Sequence, residues 1–260
     1  MCPFEFFRPK TLAEAIELLE QGVPLAGGTA LTPRRGEIPA VIDLRELGLD
    51  NLEIQDNTIL IGAGLTLQKM VDAVHILPVA LREVCIKESG WNLRNMATLG
   101  GVIMSGDGRS PLLTVLLALR AQAVIEPGGN TVPLVDLLQQ REEAGFHHLI
   151  TAIRLDNPLA LVYEQISRTP ADRPIVCAAI AHFPEENAGY PFQVALGGFG
   201  SHPIRVEEAE SILEGDGDID AAVEACRKVY IEAGDAWASP EYRSHSTGVL
   251  VRRLLMELLS

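Results

Sequence analysis

Asn95-Met96-Ala97-Thr98-Leu99-Gly100-Gly101, running on through Val102-Ile103-Met104-Ser105-Gly106-Asp107-Gly108-Arg109-Ser110-Pro111, is the stretch on which the reading of this chain turns. It combines a glycine pair, two further glycines and small hydroxyl side chains, so its backbone can approach a bound group closely. An apolar helix follows: Ser110 suits the N-cap, Pro111 the first helical position, and Leu112, Val115, Leu116 and Leu119 recur at helical spacing. The expectation is a phosphate-bearing cofactor held where that helix offers free N–H groups and the positive end of its dipole. A tight turn with no ligand is the competing reading of the loop taken alone.

Working outward, a second glycine turn lies upstream. Val23-Pro24-Leu25 reads as a short strand entering Ala26-Gly27-Gly28-Thr29-Ala30-Leu31. No GxGxxG is present, and Pro33, Arg34, Arg35 and Gly36 stand where a dinucleotide-fold helix would open. Successive N–H groups from Gly27 to Ala30, with the Thr29 hydroxyl, instead suit an anion nest; a plain hairpin is the alternative. Arg34, Arg35 and Arg109 are expected to be solvated surface charges, with attraction of an anion as the second reading.

Around these loops the pattern is α+β. An extended piece covers Phe4 to Arg8, and a helix starts at Thr11 with Glu14 completing a capping box. Strands are expected at Ala40 to Leu44 and as a hairpin around Asp56-Asn57, followed by helices from Thr66 to Val74 and from Val79 to Ser89. Beyond a strand at Leu149 to Leu155 come Asn157-Pro158 and strands at Ala160 to Ser167, Val176 to His182 and Phe192 to Gly197. Helices at Glu207 to Leu213, Ile219 to Ala233 and Thr247 to Leu259 complete the chain.

The 260 residues are 47% hydrophobic and carry a formal net charge of −14, which provides for a core and argues against an extended nucleic-acid surface. Cys2, Cys85, Cys177 and Cys226 form no CxxC pair, so buried reduced thiols are expected and no cluster-binding run is visible. No basic region followed by an apolar core opens the sequence, and no apolar run reaches the roughly 20 residues of a membrane span, so the expected location is cytoplasmic. His147, His148, His182, His202 and His245 show no metal-ligand spacing, and Glu214 to Asp218 reads as a solvated linker rather than a calcium loop; no metal is expected. The absence of GxSxG leaves no support for a serine hydrolase.

Taken in order, Phe4-Glu5-Phe6-Phe7-Arg8-Pro9, Ala13-Glu14-Ala15, Leu25 to Leu31, Leu93-Arg94-Asn95 with Thr98 to Gly101, and Leu116 to Leu119 resemble the FAD-binding (medium) subunit of the molybdenum hydroxylases. Gly197-Gly198, Pro203-Ile204-Arg205, Ala209-Glu210, Glu241-Tyr242-Arg243 and Val249 to Arg253 are similar to that family's C-terminal flavin-subunit domain. That group includes the medium subunit of carbon monoxide dehydrogenase and the flavin part of xanthine dehydrogenase.

The resemblance implies a two-subdomain FAD-binding fold of the vanillyl-alcohol oxidase/PCMH type over 1–156, with subdomains of about 1–52 and 53–156. A domain with a small antiparallel sheet and a helix bundle would follow over 157–260. It implies noncovalent FAD contacted by Leu25, Ala26, Gly27, Gly28, Thr29, Ala30, Leu31, Ala97, Thr98, Gly100, Gly101, Ser105 and Asp107, with no catalytic side chain. It further implies electron flow from an iron–sulfur small subunit through FAD to an external acceptor, with a molybdenum-cofactor large subunit oxidising the substrate. Three positions depart from the family: Val102 replaces an Asn, Pro111 an acidic residue, and Arg173 after Asp172 an aromatic. A flavin-free assembly module and a stand-alone flavin oxidoreductase are the alternative readings.

Overall fold

The structure, a computed structural model, describes residues 5–55, 57–142, 147–184 and 191–259. The chain divides into two compact units, one formed by Met1–Leu77, Ser89–Ser105 and Ala121–Leu155, the other by Pro78–Glu88, Gly106–Arg120 and Asp156–Ser260.

In the first unit, β1 (Glu5–Phe7), α1 (Leu12–Glu17), β2 (Val23–Leu25) and β3 (Ala40–Asp43) build a three-stranded parallel sheet of order β1-β3-β2. Parallel pairing needs crossovers: α1 carries the chain from β1 to the opposite edge strand β2, and residues 26–39 return it to the central β3. Thr11 caps α1, accepting the Glu14 N–H at 3.2 Å, while the Glu14 carboxylate reaches back to the Lys10 N–H at 2.8 Å. The reciprocal cap read from Thr11 and Glu14 therefore forms one residue further out on its return side. Ala15, Leu19, Ile42 and Leu149 make a small core beneath α1.

A five-stranded sheet of order β4-β5-β8-β6-β7 completes the unit. Its strands are β4 (Leu52–Gln55), β5 (Thr58–Gly62), β6 (Gln122–Glu126), β7 (Asn130–Pro133) and β8 (Leu149–Asp156). β4 and β5 form the expected hairpin; Asp56 at its turn lies outside the described residues. The helices are α2 (Leu67–Asp72), α4 (Trp91–Arg94), α5 (Leu99–Ser105) and α7 (Leu134–Gln140). α5 replaces part of the expected loop. Leu99, Val102 and Ile103 are buried at helical spacing, and Thr98 Oγ1 accepts the Gly101 N–H at 3.2 Å, as an N-cap does.

The second unit centres on a four-stranded antiparallel sheet, β12-β11-β10-β9, comprising β9 (Ala160–Ile166), β10 (Val176–His182), β11 (Phe192–Gly197) and β12 (Ile204–Arg205). Successive strand residues face opposite sides, so the burial of every residue from Val176 to Ala181 means that both faces of β10 are covered. The helices are α3 (Val79–Glu88), α6 (Pro111–Ala118), α8 (Glu207–Gly215), α9 (Ile219–Lys228) and α10 (Pro240–Leu258). α10 starts seven residues before the expected Thr247, with Ser239 as its N-cap and Pro240 at its first position. The signal was the same Ser-Pro pair that opens α6.

α6 itself is confirmed and wholly buried, yet its N-terminus is not open to a ligand. Glu88 accepts the Ser110 hydroxyl at 2.7 Å and the Leu112 N–H at 3.0 Å, while Ser110 Oγ accepts the Leu113 N–H at 3.1 Å. With no N–H on Pro111, the first-turn donors are spent inside the protein. Burial pushes the Glu88 carboxyl above its ordinary value, opposed by those two donors. The anion expected at this helix terminus is thus supplied by the chain.

Cys85, Cys177 and Cys226 are buried free thiols; Cys2 lies outside the described residues. Desolvation raises Cys177 to about 11 and Cys226 to about 12. An unfolded-chain thiol titrates near ~8.5, so these groups hold protons in the folded state that unfolding would release above that pH. Their stabilising contribution is complete below pH ~8.5 and falls as pH rises, by about 1.4 kcal/mol per pH unit for each thiol until its folded value is passed. The urea midpoint should therefore drop from pH 8 to pH 10, and the double variant C177A/C226A should flatten that drop. An equal slope in both proteins would refute the assignment to the thiols.

Candidate functional site

The first unit contains a cavity of about 820 Å³ whose wall includes the β2 turn from Ala26 to Leu31, Ala63 and Gly64 after β5, the start and end of α5, and His147 to Ile150 entering β8. Its volume falls in the upper part of the ~300–1,000 Å³ range of small-molecule and cofactor sites. Both glycine loops read from sequence meet here: Ala26, Gly27, Gly28, Thr29, Ala30, Leu31, Thr98, Gly100, Gly101 and Ser105 all line it.

Close backbone approach explains why two of those positions are glycine. A Cβ on Gly27 would lie 1.8 Å from the Met96 carbonyl oxygen, and one on Gly100 would lie 2.9 Å from the Ala63 Cβ. Gly27 thus seats the upstream loop directly on the chain entering α5.

The two loops differ in what they offer. Around α5 the donors are engaged: Leu99 N–H goes to Leu65 O at 3.0 Å, Gly100 N–H to Ala63 O at 2.8 Å and Gly101 N–H to Thr98 Oγ1. In the upstream loop, the N–H groups from Gly27 to Leu31 find no acceptor among the described residues. Backbone donors left unpaired at a cavity wall demand a polar partner from solvent or ligand. The α5 loop therefore shapes the wall, and the turn after β2 presents the donors.

The remaining expected residues fall elsewhere. Leu25 ends β2 and Ala97 is buried before α5; neither lines the cavity. Asp107 belongs to the second unit, where it is an ion-pair partner of Arg173 and accepts the Arg109 N–H at 2.8 Å. Val102 is buried in the first unit's core, and Pro111 is buried at the start of α6. Of the arginines, Arg34 lines the cavity while pairing with Glu37 at 3.1 Å; Arg35 and Arg109 do not line it.

His147 and His148, weighed in the sequence only as metal ligands, and Met104 also line the cavity. The histidines follow a stretch without periodicity, so no spacing signalled them. Glu20 is the carboxylate among the lining residues, set against Arg34 and the two histidines, although the chain as a whole is strongly acidic. An apolar wall, a run of unpaired N–H donors and little negative charge fit a dinucleotide with a central diphosphate. Among the described residues no group of three or more His, Cys, Asp or Glu is arranged for a metal, and no helix is long and apolar enough to cross a membrane.

Comparison with known proteins agrees with this geometry. Residues 2–158 match the family model for the FAD binding domain in molybdopterin dehydrogenase, and residues 161–258 match that for the CO dehydrogenase flavoprotein C-terminal domain. The chain is 33% identical to the uncharacterized protein YgfM of Escherichia coli K12, over 96% of this chain and 94% of that one. It is 28% identical to the carbon monoxide dehydrogenase medium chain of Afipia carboxidovorans, again over 96% and 94%. The crystal structure of the cyanide-inactivated Cu,Mo-CO dehydrogenase superposes with a TM-score of 0.84 at 27% identity, covering 97% of each chain. With two family models matched in tandem over nearly its whole length, the chain belongs to the FAD-binding subunits of the molybdopterin dehydrogenases, and FAD is its cofactor.

Proposed function

We propose that this chain is the electron-transfer subunit of a molybdenum hydroxylase-type dehydrogenase complex. It receives electrons from an iron–sulfur small subunit and delivers them through FAD to an external acceptor, while a molybdenum-cofactor large subunit oxidises the organic substrate. The observation that carries the reading is the cavity in which a glycine turn with unpaired N–H donors meets the start of α5. Its similarity to the carbon monoxide dehydrogenase medium chain supports the placement within a complex.

When bound, FAD supplies the redox chemistry; the protein supplies binding, orientation and access. Gly27, Gly28, Thr29, Ala30 and Leu31 hold the diphosphate through backbone N–H groups, and the Thr29 hydroxyl adds one donor. Thr98, Gly100 and Gly101 shape the opposite wall, and Ser105 closes the far end of α5. Ser105 Oγ donates to Gly101 O at 2.7 Å, which holds that hydroxyl against its own helix.

The test is the visible spectrum of the purified chain before and after incubation with FAD and gel filtration. Retained two-band flavin absorbance near one FAD per chain is expected. Reduction of that flavin by a reduced iron–sulfur partner, without turnover of the organic substrate by this chain alone, is the second expected result. A folded chain that retains no flavin would overturn the reading in favour of an assembly module. Rapid NAD(P)H oxidation by the isolated chain would favour a stand-alone oxidoreductase.

A further inference from the structure

Within the second unit, the loop before α10 presents Trp237, 44% exposed, on a fixed support. One oxygen of Asp235 accepts the N–H of Trp237 at 2.8 Å and of Ala238 at 3.0 Å, and the buried Arg243 guanidinium donates to the same oxygen at 2.7 Å. Burial raises the Asp235 carboxyl, but these donors outweigh it and hold the group below the ordinary carboxylate value. The loop is thereby anchored to the Arg243–Asp235 ion pair.

Two guanidinium groups lie over the indole, Arg109 at 4.3 Å and Arg168 at 4.7 Å from the ring centroid. Arg109 is held by hydrogen bonds to Pro174 O and Arg173 O, both at 2.9 Å. Arg168 extends from a turn closed by Ser167 Oγ donating to Thr169 O at 2.8 Å and by Thr169 N–H donating to Asp172 at 3.1 Å. Arg173 is neutralised by Asp107, but Arg168 has no carboxylate partner among the described residues. Desolvation, followed by the nearby Arg173 charge, lowers Arg109. Asp107 and Asp235 oppose that shift and, with Asp172, lie among these arginines; Arg168 is the guanidinium left without a carboxylate among the described residues.

Guanidinium forks match phosphate oxygens, and guanidinium and indole planes stack on bases. We propose that Arg109, Arg168 and Trp237 form a binding site for a phosphate-bearing ligand of the nucleotide or diphosphate class. Arg168 is the principal phosphate contact, Arg109 contributes the fixed second charge, and Trp237 holds both guanidinium groups against its ring. None of the three lines the cavity of the first unit, so the proposal does not rest on the flavin reading.

The experiment uses the full chain, as isolated with its flavin, carrying Trp91→Phe so that Trp237 is the one remaining indole. Its emission is followed while pyrophosphate, ADP or adenosine is added. Saturable changes with pyrophosphate and ADP, half-complete below about 1 mM, are expected, and Arg168→Ala should raise the half-point at least about tenfold. Added salt should weaken both responses. Equal half-points for pyrophosphate and ADP assign the site to phosphate alone; a much lower one for ADP assigns it to a nucleotide. No saturable response to about 10 mM, an unchanged half-point in Arg168→Ala, or adenosine acting as well as ADP overturns the proposal. Flavin absorbance in the same titration should stay constant; its loss from the protein on adding ADP would place the nucleotide in the flavin cavity and also overturn it.

Discussion

Gly27→Val is expected to yield a folded but colourless protein, with FAD affinity reduced by about 100-fold or more, equivalent to about 2.7 kcal/mol. The reason is steric. The first side-chain carbon would fall 1.8 Å from the Met96 carbonyl oxygen, which is backbone and cannot rotate away. The loop from Gly27 to Leu31 must then lift off the chain entering α5, and its N–H groups lose their common aim. Overpacking of this kind costs typically ~1–3 kcal/mol in stability, so circular dichroism should still report a folded chain.

Thr29→Ala separates backbone from side-chain recognition. It removes one neutral hydroxyl worth about 0.5–1.5 kcal/mol and leaves the backbone donors in place, so a roughly 3- to 10-fold loss of FAD affinity is expected. Titration of the apoprotein with FAD, followed by flavin fluorescence, measures both variants. Stoichiometric flavin in Gly27→Val, or a larger loss in Thr29→Ala than in Gly27→Val, would remove the backbone nest from the account.

Arg243→Met should destabilise the second unit by about 2–4 kcal/mol, the scale for leaving two buried carbonyls without a donor. Arg243 is fully buried, donates to Gly198 O at 2.6 Å and to Ile175 O, and pairs with Asp235 at 2.7 Å. Its removal strands two carbonyls that methionine cannot satisfy, while Asp235 keeps the Trp237 and Ala238 N–H groups. The damage falls on a crowded backbone crossing: Gly198 has φ +118°, and a Cβ there would lie 2.2 Å from Ile175 O. Gly108 is joined to the same crossing through the Gly198 N–H at 2.6 Å, and Tyr230 OH donates to Gly197 O at 2.8 Å. Urea unfolding followed by Trp237 emission should show the midpoint shift, and Arg243→Lys should recover only part of it because an ammonium lacks the planar fork. A loss under about 1 kcal/mol in Arg243→Met would show that the carbonyls find other donors.

Local signals in the sequence were reliable where the determinant is local. Thr11, Thr66 and Ser110 cap the helices expected of them, because a cap depends on a side chain and an N–H three residues away. The strands of the second unit follow from short apolar runs between turn residues, and the ordered glycine motifs identified the family. Ser239-Pro240 carried the same local signal as Ser110-Pro111, but the glycine at position 248 and the polar first turns of α10 obscured the helix's true start.

Other features depend on residues distant in sequence, and only the tertiary structure decided them. The α6 terminus reads as an anion site until Glu88, 22 residues before Ser110, is found occupying it. Gly106 to Ser110 reads as a continuation of the glycine loop, yet the chain passes into the second unit after Ser105. Which glycine loop keeps its donors free was likewise invisible, since Ala63 and Leu65 consume those of α5 across the fold. The sequence by itself determined the family, and with it the cofactor, because an ordered set of motifs along nearly the whole chain is specific where either glycine loop alone is not. Tertiary structure determined which backbone groups remain unpaired, because each N–H is satisfied by whatever acceptor folding brings near it.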